Sequence, residues 1–345
     1  MLKVAVVILN WNTRELLEKF LPVVLRHSEK EGVKVFVADN GSADDSVDFL
    51  NRNYYKRIGI IRLDKNYGFA EGYNMALSRI ESEFFVLLNT DVEPTANWLT
   101  PLLDVMESDN LIAACMPKVK AYDQPDFFEY AGAAGGYIDK YGYAFCQGRI
   151  FNSIETDYGQ YDKECDILWA TGACMMLRGP LFKILGGLDP FFFAHMEEID
   201  LCWRLKNRGY RIRYSPHSIV YHIGGGTLAM GNPKKIYLNF RNNLLLLYKN
   251  LPEELLFPTL AKRLLLDLIA ALRYLFSGAF ADFLAIMKAH FSFYRAFKTY
   301  RKFRKEEKRF ITNTKHKEIY QGSIILDYFF KKKYTFKALK WFPEH

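Results

Sequence analysis

The run Phe84-Phe85-Val86-Leu87-Leu88 is apolar at five successive positions and breaks off at Asn89-Thr90-Asp91, with Pro94 just beyond. A strand with no polar face must be covered on both sides, which is the condition of an interior strand in a parallel sheet between helix layers. Pro94 cannot continue such a strand. Val4 to Leu9 has the same character and stops at Asn10-Trp11-Asn12; Val33 to Ala38 is a third strand and stops at Asp39-Asn40-Gly41-Ser42. A helical period through Leu16, Leu17, Phe20, Leu21 and Val24 separates the last two. Strand, helix and strand joined by short turns form a right-handed parallel unit, so the expected class is α/β.

In open α/β sheets, ligands collect outside the carboxyl ends of the strands. The polar tips are therefore the first candidate residues. Asp91, with Asn89 two residues before it, suits a divalent cation held against a phosphate, and equally suits a plain turn cap. Asp39 stands where a ribose or base edge would lie, or forms the turn before Asn40-Gly41. After a short strand, Ile58 to Leu63, the stretch Asn66 to Asn74 brings Gly68 and Gly72 to a helix start, where backbone N–H groups can approach an anion. The spacing is not the G-x-G-x-x-G dinucleotide fingerprint.

Beyond Asp91 the pattern gives a helix over Trp98 to Met106 and a strand over Ile112 to Met116. Residues 121–165, rich in Tyr, Gly and Asp, read as a loop or small hairpin region above the site. Leu168 to Arg178 reads as one strand whose small central residues admit a ligand or a neighbouring strand. His195 to Leu205 reads as a helix with Asp200 and Arg204 paired at i, i+4. Glu197 and Glu198 then sit in the first turn, where the helix dipole favours acids whether or not either points into a cleft. His222 ends a later strand ahead of Gly224-Gly225-Gly226-Thr227, as a structural histidine or a metal ligand.

The full chain of 345 residues is half apolar and a quarter charged, a globular composition. Five cysteines form no C-x-x-C pair, which suits reduced thiols in a cytoplasmic protein. The start, Met1-Leu2-Lys3-Val4, lacks the shape of a signal peptide, and no run approaches the roughly 20 apolar residues of a membrane span.

Taken in order, VVILNWN, ADNGSADDS, NYGFAEGYN, LLNTD, TGACMMLRG, GGLDPFFF, MEEIDLCWRLKNRGY, YHIGGGT and YLNFRNNLLLLYKN resemble the family 2, GT-A fold, inverting glycosyltransferases. The likeness is strongest to the rhamnosyltransferase-like branch that builds bacterial surface polysaccharides. It implies a GT-A type, mostly parallel sheet flanked by helices, occupying residues 1–250, with a nucleotide-binding half (1–92) and an acceptor half (93–250). Residues 251–345 would be a basic amphipathic helical extension.

The same resemblance implies the site. Asn10, Asp39, Asn66, Gly68, Asn89 and Arg241 would contact the nucleotide; Arg241, with Asn242, follows the glycine run, where the family closes a segment over the diphosphate. Asp91 and His222 would hold a divalent cation, Mg2+ or Mn2+. Trp169 and Gly172 would shape the acceptor and sugar pocket, and Glu198, with Glu197 beside it, would be the catalytic base. The donor would be dTDP-rhamnose or a UDP-sugar, and the acceptor a polysaccharide or lipid-linked glycan. Two positions depart from the family: Asn89 stands at the first position of the metal motif where Asp is usual, and Glu198 where Asp is commoner. A nucleotidyltransferase making sugar nucleotides would need a basic Gly-rich loop where Asn10-Trp11-Asn12 stands. A non-catalytic binding subunit on this fold is the other alternative.

The charge of the extension is one-sided. Residues 287–345 carry 16 Lys/Arg against 5 Asp/Glu, a net of +11, whereas the whole chain sums to +8. Leu264, Leu265, Leu268, Ile269, Leu272, Leu275 and Phe276 share one helical face, with Lys262, Arg263, Asp267 and Arg273 off it. A second helix holds Phe280, Phe283, Leu284, Met287 and Phe291. Either these faces pack on the catalytic domain or on a twin subunit in a homodimer, or they lie on an anionic bilayer at the inner face of the cell membrane. No recognised module accompanies the charge, so nucleic acid is not an expected partner.

Overall fold

A computed structural model describes residues 1–224, 232–341 and 343. Its first part alternates β1 (Leu2–Asn10), α1 (Arg14–Ser28), β2 (Val33–Asp39), α2 (Ser46–Tyr54), β3 (Gly59–Arg62), α3 (Gly68–Leu77) and β4 (Ser82–Leu88). Then come β5 (Val92–Pro94), α4 (Leu99–Ser108), β6 (Ile112–Ala121), β7 (Gly136–Asp139), β8 (Ala144–Cys146), β9 (Arg149–Ile150) and β10 (Ser153–Ile154). β11 (Cys165–Ile167), β12 (Cys174–Arg178), α5 (Gly179–Ile184), α6 (Glu197–Asn207) and β13 (Arg211–His222) follow. The last elements are α7 (Pro233–Asn250), α8 (Glu253–Phe276), α9 (Phe280–Glu307) and β14 (Ile319–Tyr320).

Nine strands share one sheet in the order β11-β13-β6-β12-β4-β1-β2-β3, with β5 paired to β13. β4, β1, β2 and β3 are parallel neighbours, as their apolar patterns require. Val4 to Val7 and Phe84 to Leu88 are fully buried, and each such large side chain contributes about 1.5–3 kcal/mol. Because β1 and β4 lie side by side, Asn10 and the Asn89–Asp91 tip emerge at the same edge. The one sheet runs through both the 1–92 and the 93–250 stretches.

Several expectations change. Leu168 to Arg178 is not one strand: only Cys174–Arg178 form β12, which runs antiparallel between β4 and β6. Cys165–Ile167 pair instead with β13 at the far edge, so Leu168 to Ala173 must cross over the sheet's end. The strand that ends at His222 begins at Arg211 and carries a bulge between Ser215 and Ile219, around Pro216. Residues 121–165 contain a second sheet, β10-β9-β8-β7-β14, whose last strand comes from the extension. The 251–345 stretch is thus not helical throughout. It returns to add β14 alongside β7 and to pack Tyr320, Phe336 and Trp341 on Tyr137 and Phe145.

One buried ionic cluster fixes how α6 lies. Asp200 accepts hydrogen bonds from Arg204 Nε (2.9 Å), Lys249 Nζ (2.7 Å) and Asn250 Nδ2 (2.9 Å), tying α6 to α7. Lys249 also reaches Asp189 Oδ2 at 2.7 Å, to which the Tyr300 hydroxyl of α9 donates. Burial alone would raise the Asp200 pKa, but Lys249 and Arg204 outweigh it and hold the carboxyl below its ordinary range. Asp200→Ala leaves Lys249 buried with half its partners and should cost about 3–5 kcal/mol in urea unfolding at neutral pH. Since the folded-state pKa is depressed, this contribution is complete above the ordinary carboxylate range and is lost as pH falls through the folded value. The gap between wild type and variant should therefore narrow on acidification.

Candidate active site at the carboxyl edge of the sheet

Polar side chains at the strand ends form a continuous line. Asn10 Nδ2 donates to Asp39 Oδ2 (2.8 Å) and Ser42 Oγ (3.1 Å), and Ser42 N donates to Asp39 Oδ1 (3.0 Å). The Thr13 hydroxyl donates to Asn10 Oδ1 at 2.6 Å and lies 3.2 Å from Thr90 Oγ1. Next to Thr90, Asp91 Oδ1 is 3.1 Å from His222 Nε2, and His222 Nδ1 is 3.3 Å from Glu129 Oε2. Asn10, Asp39, Asp91, His222 and Glu129 are all buried. The structure therefore brings Asn10 and Asp39 together, and Asp91 and His222 together, along one edge. Asn89 sits half-buried at the tip of β4, its backbone N–H bonded to Ala173 O.

A second network shapes the start of α3. Asn40 Nδ2 donates to Asn66 Oδ1 (3.1 Å) and Gly68 O (3.0 Å), while Gly68 N donates to Asn66 Oδ1 (2.8 Å). Gly68 has φ +79°, and a Cβ there would strike the Phe193 ring at 2.6 Å, so glycine is required on both counts. Phe69 N donates to Phe193 O at 2.8 Å, which joins this loop to the segment entering α6.

That segment is strained. Phe193, His195 and Met196 have φ of 65°, 70° and 73°, positions costing of order 1–3 kcal/mol each for residues with a side chain. Asn242 offsets the cost by donating to the carbonyls of Phe192, Ala194 and His195 at 2.7–3.0 Å. Arg241 donates to Phe191 O and Phe192 O, with further contacts to Asn242 and Tyr237. The Arg241 guanidinium, expected on the nucleotide, here bonds to this loop.

Glu197 and Glu198 open α6. Each has a sealed Oε2 with no hydrogen-bond partner among the described residues, as does the neighbouring His195 Nε2. Three orphaned polar atoms within four residues are the mark of groups aimed at a ligand. Burial, followed by the charge of Glu198, pushes the Glu197 carboxyl far up; burial pushes Glu198 up to about 7, against its own and Ile199's backbone N–H groups. Cys202, one turn from Glu198 on the same face, accepts from Ala170 N, and Ala173 of the same crossing segment accepts from Asn89. The crossing segment thus links this face of α6 to the tip of β4.

Two pocket expectations are corrected. Trp169 is sealed, its Nε1 donating to Tyr137 O and its ring lying where any Cβ on Gly136 would clash at 2.1 Å. It fastens the two sheets. Gly172 makes room for the Phe69 ring, which a Cβ would meet at 2.9 Å, so a protein side chain occupies that space. Of the glycine run, Gly225 and Gly226, with Thr227, lie outside the described residues.

The Asp91 and His222 donors fit a hard divalent cation. Two ligands at about 2.1 Å and at right angles stand about 3.0 Å apart, close to the 3.1 Å observed here. Glu129 at the far ring nitrogen is the partner that orients a ligating imidazole. Burial opposes a charged His222, but Asp91 and Glu129 prevail and hold it up at about 10, so ligation would displace a proton. No group of three or more His, Cys, Asp or Glu among the described residues could hold an ion alone, so further ligands would have to come from substrate and water.

Sequence reasoning missed Glu129, Asn40 and Trp11. Glu129 lies in an aperiodic stretch and gave no signal. Trp11 is exposed beside Asn10, where Asn12 takes φ 54° and its Oδ1 accepts from Ala43 N; an aromatic residue between two asparagines at a strand end was the available clue.

The profile described as "Glycosyl transferase family 2" matches residues 5–184. The chain is 27% identical over 199 residues to the pre-mycofactocin glycosyltransferase of Mycobacterium tuberculosis, a match covering 55% of this chain and 37% of that protein. It therefore spans little more than a third of that relative's length. Over 223 residues it is 25% identical to the N-acetylglucosaminyl-diphospho-decaprenol L-rhamnosyltransferase of the same organism, covering 60% and 71% of the two chains. Among solved structures, GalNAc-T7 with UDP, GalNAc and Mn2+ matches 74% of this chain and 49% of its own, with a TM-score of 0.60 and 15% identity, a likeness of fold.

Asn242→Ala should release the strained entry to α6. We expect a loss of about 1–3 kcal/mol in urea unfolding. Amide exchange at residues 193–198 should speed up, while strands β1 and β4 keep their protection.

Proposed function

The chain belongs to glycosyl transferase family 2, and from that premise we propose that it is an inverting glycosyltransferase. It would move a sugar from a nucleoside-diphosphate donor to a hydroxyl of a glycan acceptor. The observation that carries this reading is the hydrogen-bonded line from Asp39 through Asn10 and Thr13 to Thr90, whose chain neighbour Asp91 pairs with His222. It supplies a recognition end and a charged end along one strand edge, which suits an extended nucleotide diphosphate.

Asp39 and Asn10 would receive the ribose or base, with Trp11 at the rim, and Asn66, Gly68 and Asn89 would border the phosphates. Asp91 and His222 would hold the divalent cation, Mg2+ or Mn2+, which when bound supplies positive charge to the departing diphosphate. Glu198 would take the proton from the acceptor hydroxyl as that oxygen attacks the anomeric carbon from the face opposite the diphosphate. One displacement inverts the centre, and no enzyme nucleophile is needed. Between the two acids Glu198 is proposed as the base because it stands at the position the family resemblance implies, with Glu197 beside it; burial raises both carboxyls above their ordinary range.

For the donor we propose dTDP-rhamnose or a UDP-sugar, and for the acceptor a polysaccharide or lipid-linked glycan. The name of the decaprenol-linked rhamnosyltransferase relative supports this pairing.

Glu198→Gln should lower kcat by about 10²–10⁴-fold with little change in donor KM, measured as nucleotide release from a panel of sugar nucleotides. Wild-type kcat should rise with pH around neutrality as the Glu197–Glu198 pair loses a proton, then level off. Asp39→Ala should raise donor KM more than it lowers kcat. EDTA should abolish turnover, and Mn2+ or Mg2+ should restore it. Full activity in Glu198→Gln would refute the assigned base.

A further inference from the structure

The hairpin of α8 and α9 is inside out. On α8 the buried residues are Thr259, Arg263, Asp267 and Ala271, a stripe repeating every fourth position. Arg263 Nη2 donates to Asp267 Oδ1 at 2.9 Å, His290 Nε2 of α9 lies 3.2 Å from Asp267 Oδ2, and Arg263 stacks over the Tyr143 ring while donating to Tyr141 O. A buried ionic seam therefore fastens the polar face of α8 to the rest of the protein. The leucine face, for which the sequence left packing on protein or lying on a bilayer open, points outward. Leu265, Leu268 and Ile269 are each more than half exposed, and Phe257 and Phe276 are 81% and 85% exposed. On α9 a second stripe, Phe280, Leu284, Met287, Phe291 and Tyr294, is exposed at helical spacing.

Such an area of contiguous apolar surface needs a partner. Its charge says which. From residue 255 to residue 305 the exposed ionic side chains are Lys262, Arg273, Lys288, Arg295, Lys298, Arg301, Lys302 and Lys305, with no exposed acid among the described residues of that stretch. A second copy would set cation against cation, whereas an anionic surface meets both the greasy stripe and its basic border. Among the described residues no helix is long and apolar enough to cross a membrane. A helix that cannot span but exposes an apolar face with basic flanks lies in the interface plane.

We propose that the α8–α9 hairpin seats the protein on an anionic phospholipid bilayer, with the Leu264–Phe276 and Phe280–Tyr294 stripes entering the acyl boundary. The Lys and Arg residues around them meet the headgroup phosphates. α7 carries this surface to the candidate site: the Tyr237 hydroxyl donates to Ser292 Oγ of α9 at 3.0 Å and lies 3.3 Å from Arg241, which holds the loop leading to Glu197 and Glu198. Seating on the bilayer would thus fix the site at a set height above the headgroups. The inference stands apart from the transfer reaction, because it is read without turnover.

The test is flotation of the full chain at low salt with phosphatidylcholine vesicles and with vesicles that also contain phosphatidylglycerol. Wild type should float with the anionic vesicles, and added salt should weaken the binding. Leu265→Ser/Leu268→Ser/Ile269→Ser, all exposed positions, should keep the wild-type circular dichroism and melting temperature. Its partition should fall by at least about tenfold. Lys288→Glu/Lys298→Glu/Arg301→Glu should lose the preference for anionic vesicles. Wild type that stays at the bottom with both vesicle types, or a serine variant that floats as well as wild type, overturns the proposal. A wild-type dimer by light scattering that becomes monomeric in the serine variant, with no flotation of either, would assign the face to a second copy.

Discussion

Three neighbouring parallel strands end in side chains that can bond only to one another or to a ligand. β1 and β4 are buried over most of their length and β2 over its second half, and all three end in polar residues at the same edge. There Asp39, Asn10 and Thr90 meet through Thr13 and Ser42. An uncompensated buried carboxylate is costly, so the cluster persists because each member supplies what the next lacks. The same edge receives His222 from β13, which stays paired with β6 past the bulge at Ser215–Ile219 and takes β5, next to Asp91, on its other side.

The two acids at the start of α6 are held differently. Glu197 and Glu198 hang on a loop with three left-handed residues, and the loop is held by side chains of α7. α7 is in turn locked to α6 through Lys249, Asn250 and Asp200. Strain at the entry, two carboxyls with unpartnered oxygens and a pair of raised pKa values are consistent with a site kept in tension by a rigid support. The helix carrying Arg241 thus contributes stiffness to the site, where the family resemblance led one to expect a phosphate contact.

Much of the sheet could be read from the sequence because β1 and β4 are apolar throughout and end in polar tips. The placement of Asp39, Asn10, Asp91 and His222 along one edge was legible for the same reason, since each follows or ends an apolar strand. Glu129 was not, because it comes from an aperiodic segment and meets His222 only in the folded chain. Trp169 and Gly172 misled because small and aromatic residues beside a site serve packing as readily as ligands; here they admit Gly136 and Phe69. The tail's amphipathic period was correctly visible, but period alone does not say which face turns inward. The Arg263–Asp267 pair made that choice, and it depends on Tyr141 and Tyr143, more than a hundred residues away.

The central claim is that Asp91, His222 and Glu198 converge on one crevice that holds a nucleoside diphosphate. Anomalous diffraction from crystals grown with Mn2+ and a nucleoside diphosphate tests it most directly. The account predicts a manganese peak within ligand distance of both Asp91 and His222, the diphosphate on that ion, the nucleoside against Asp39 and Asn10, and Glu198 facing the open side. A nucleotide bound away from this edge, or a manganese peak touching neither Asp91 nor His222, would contradict it.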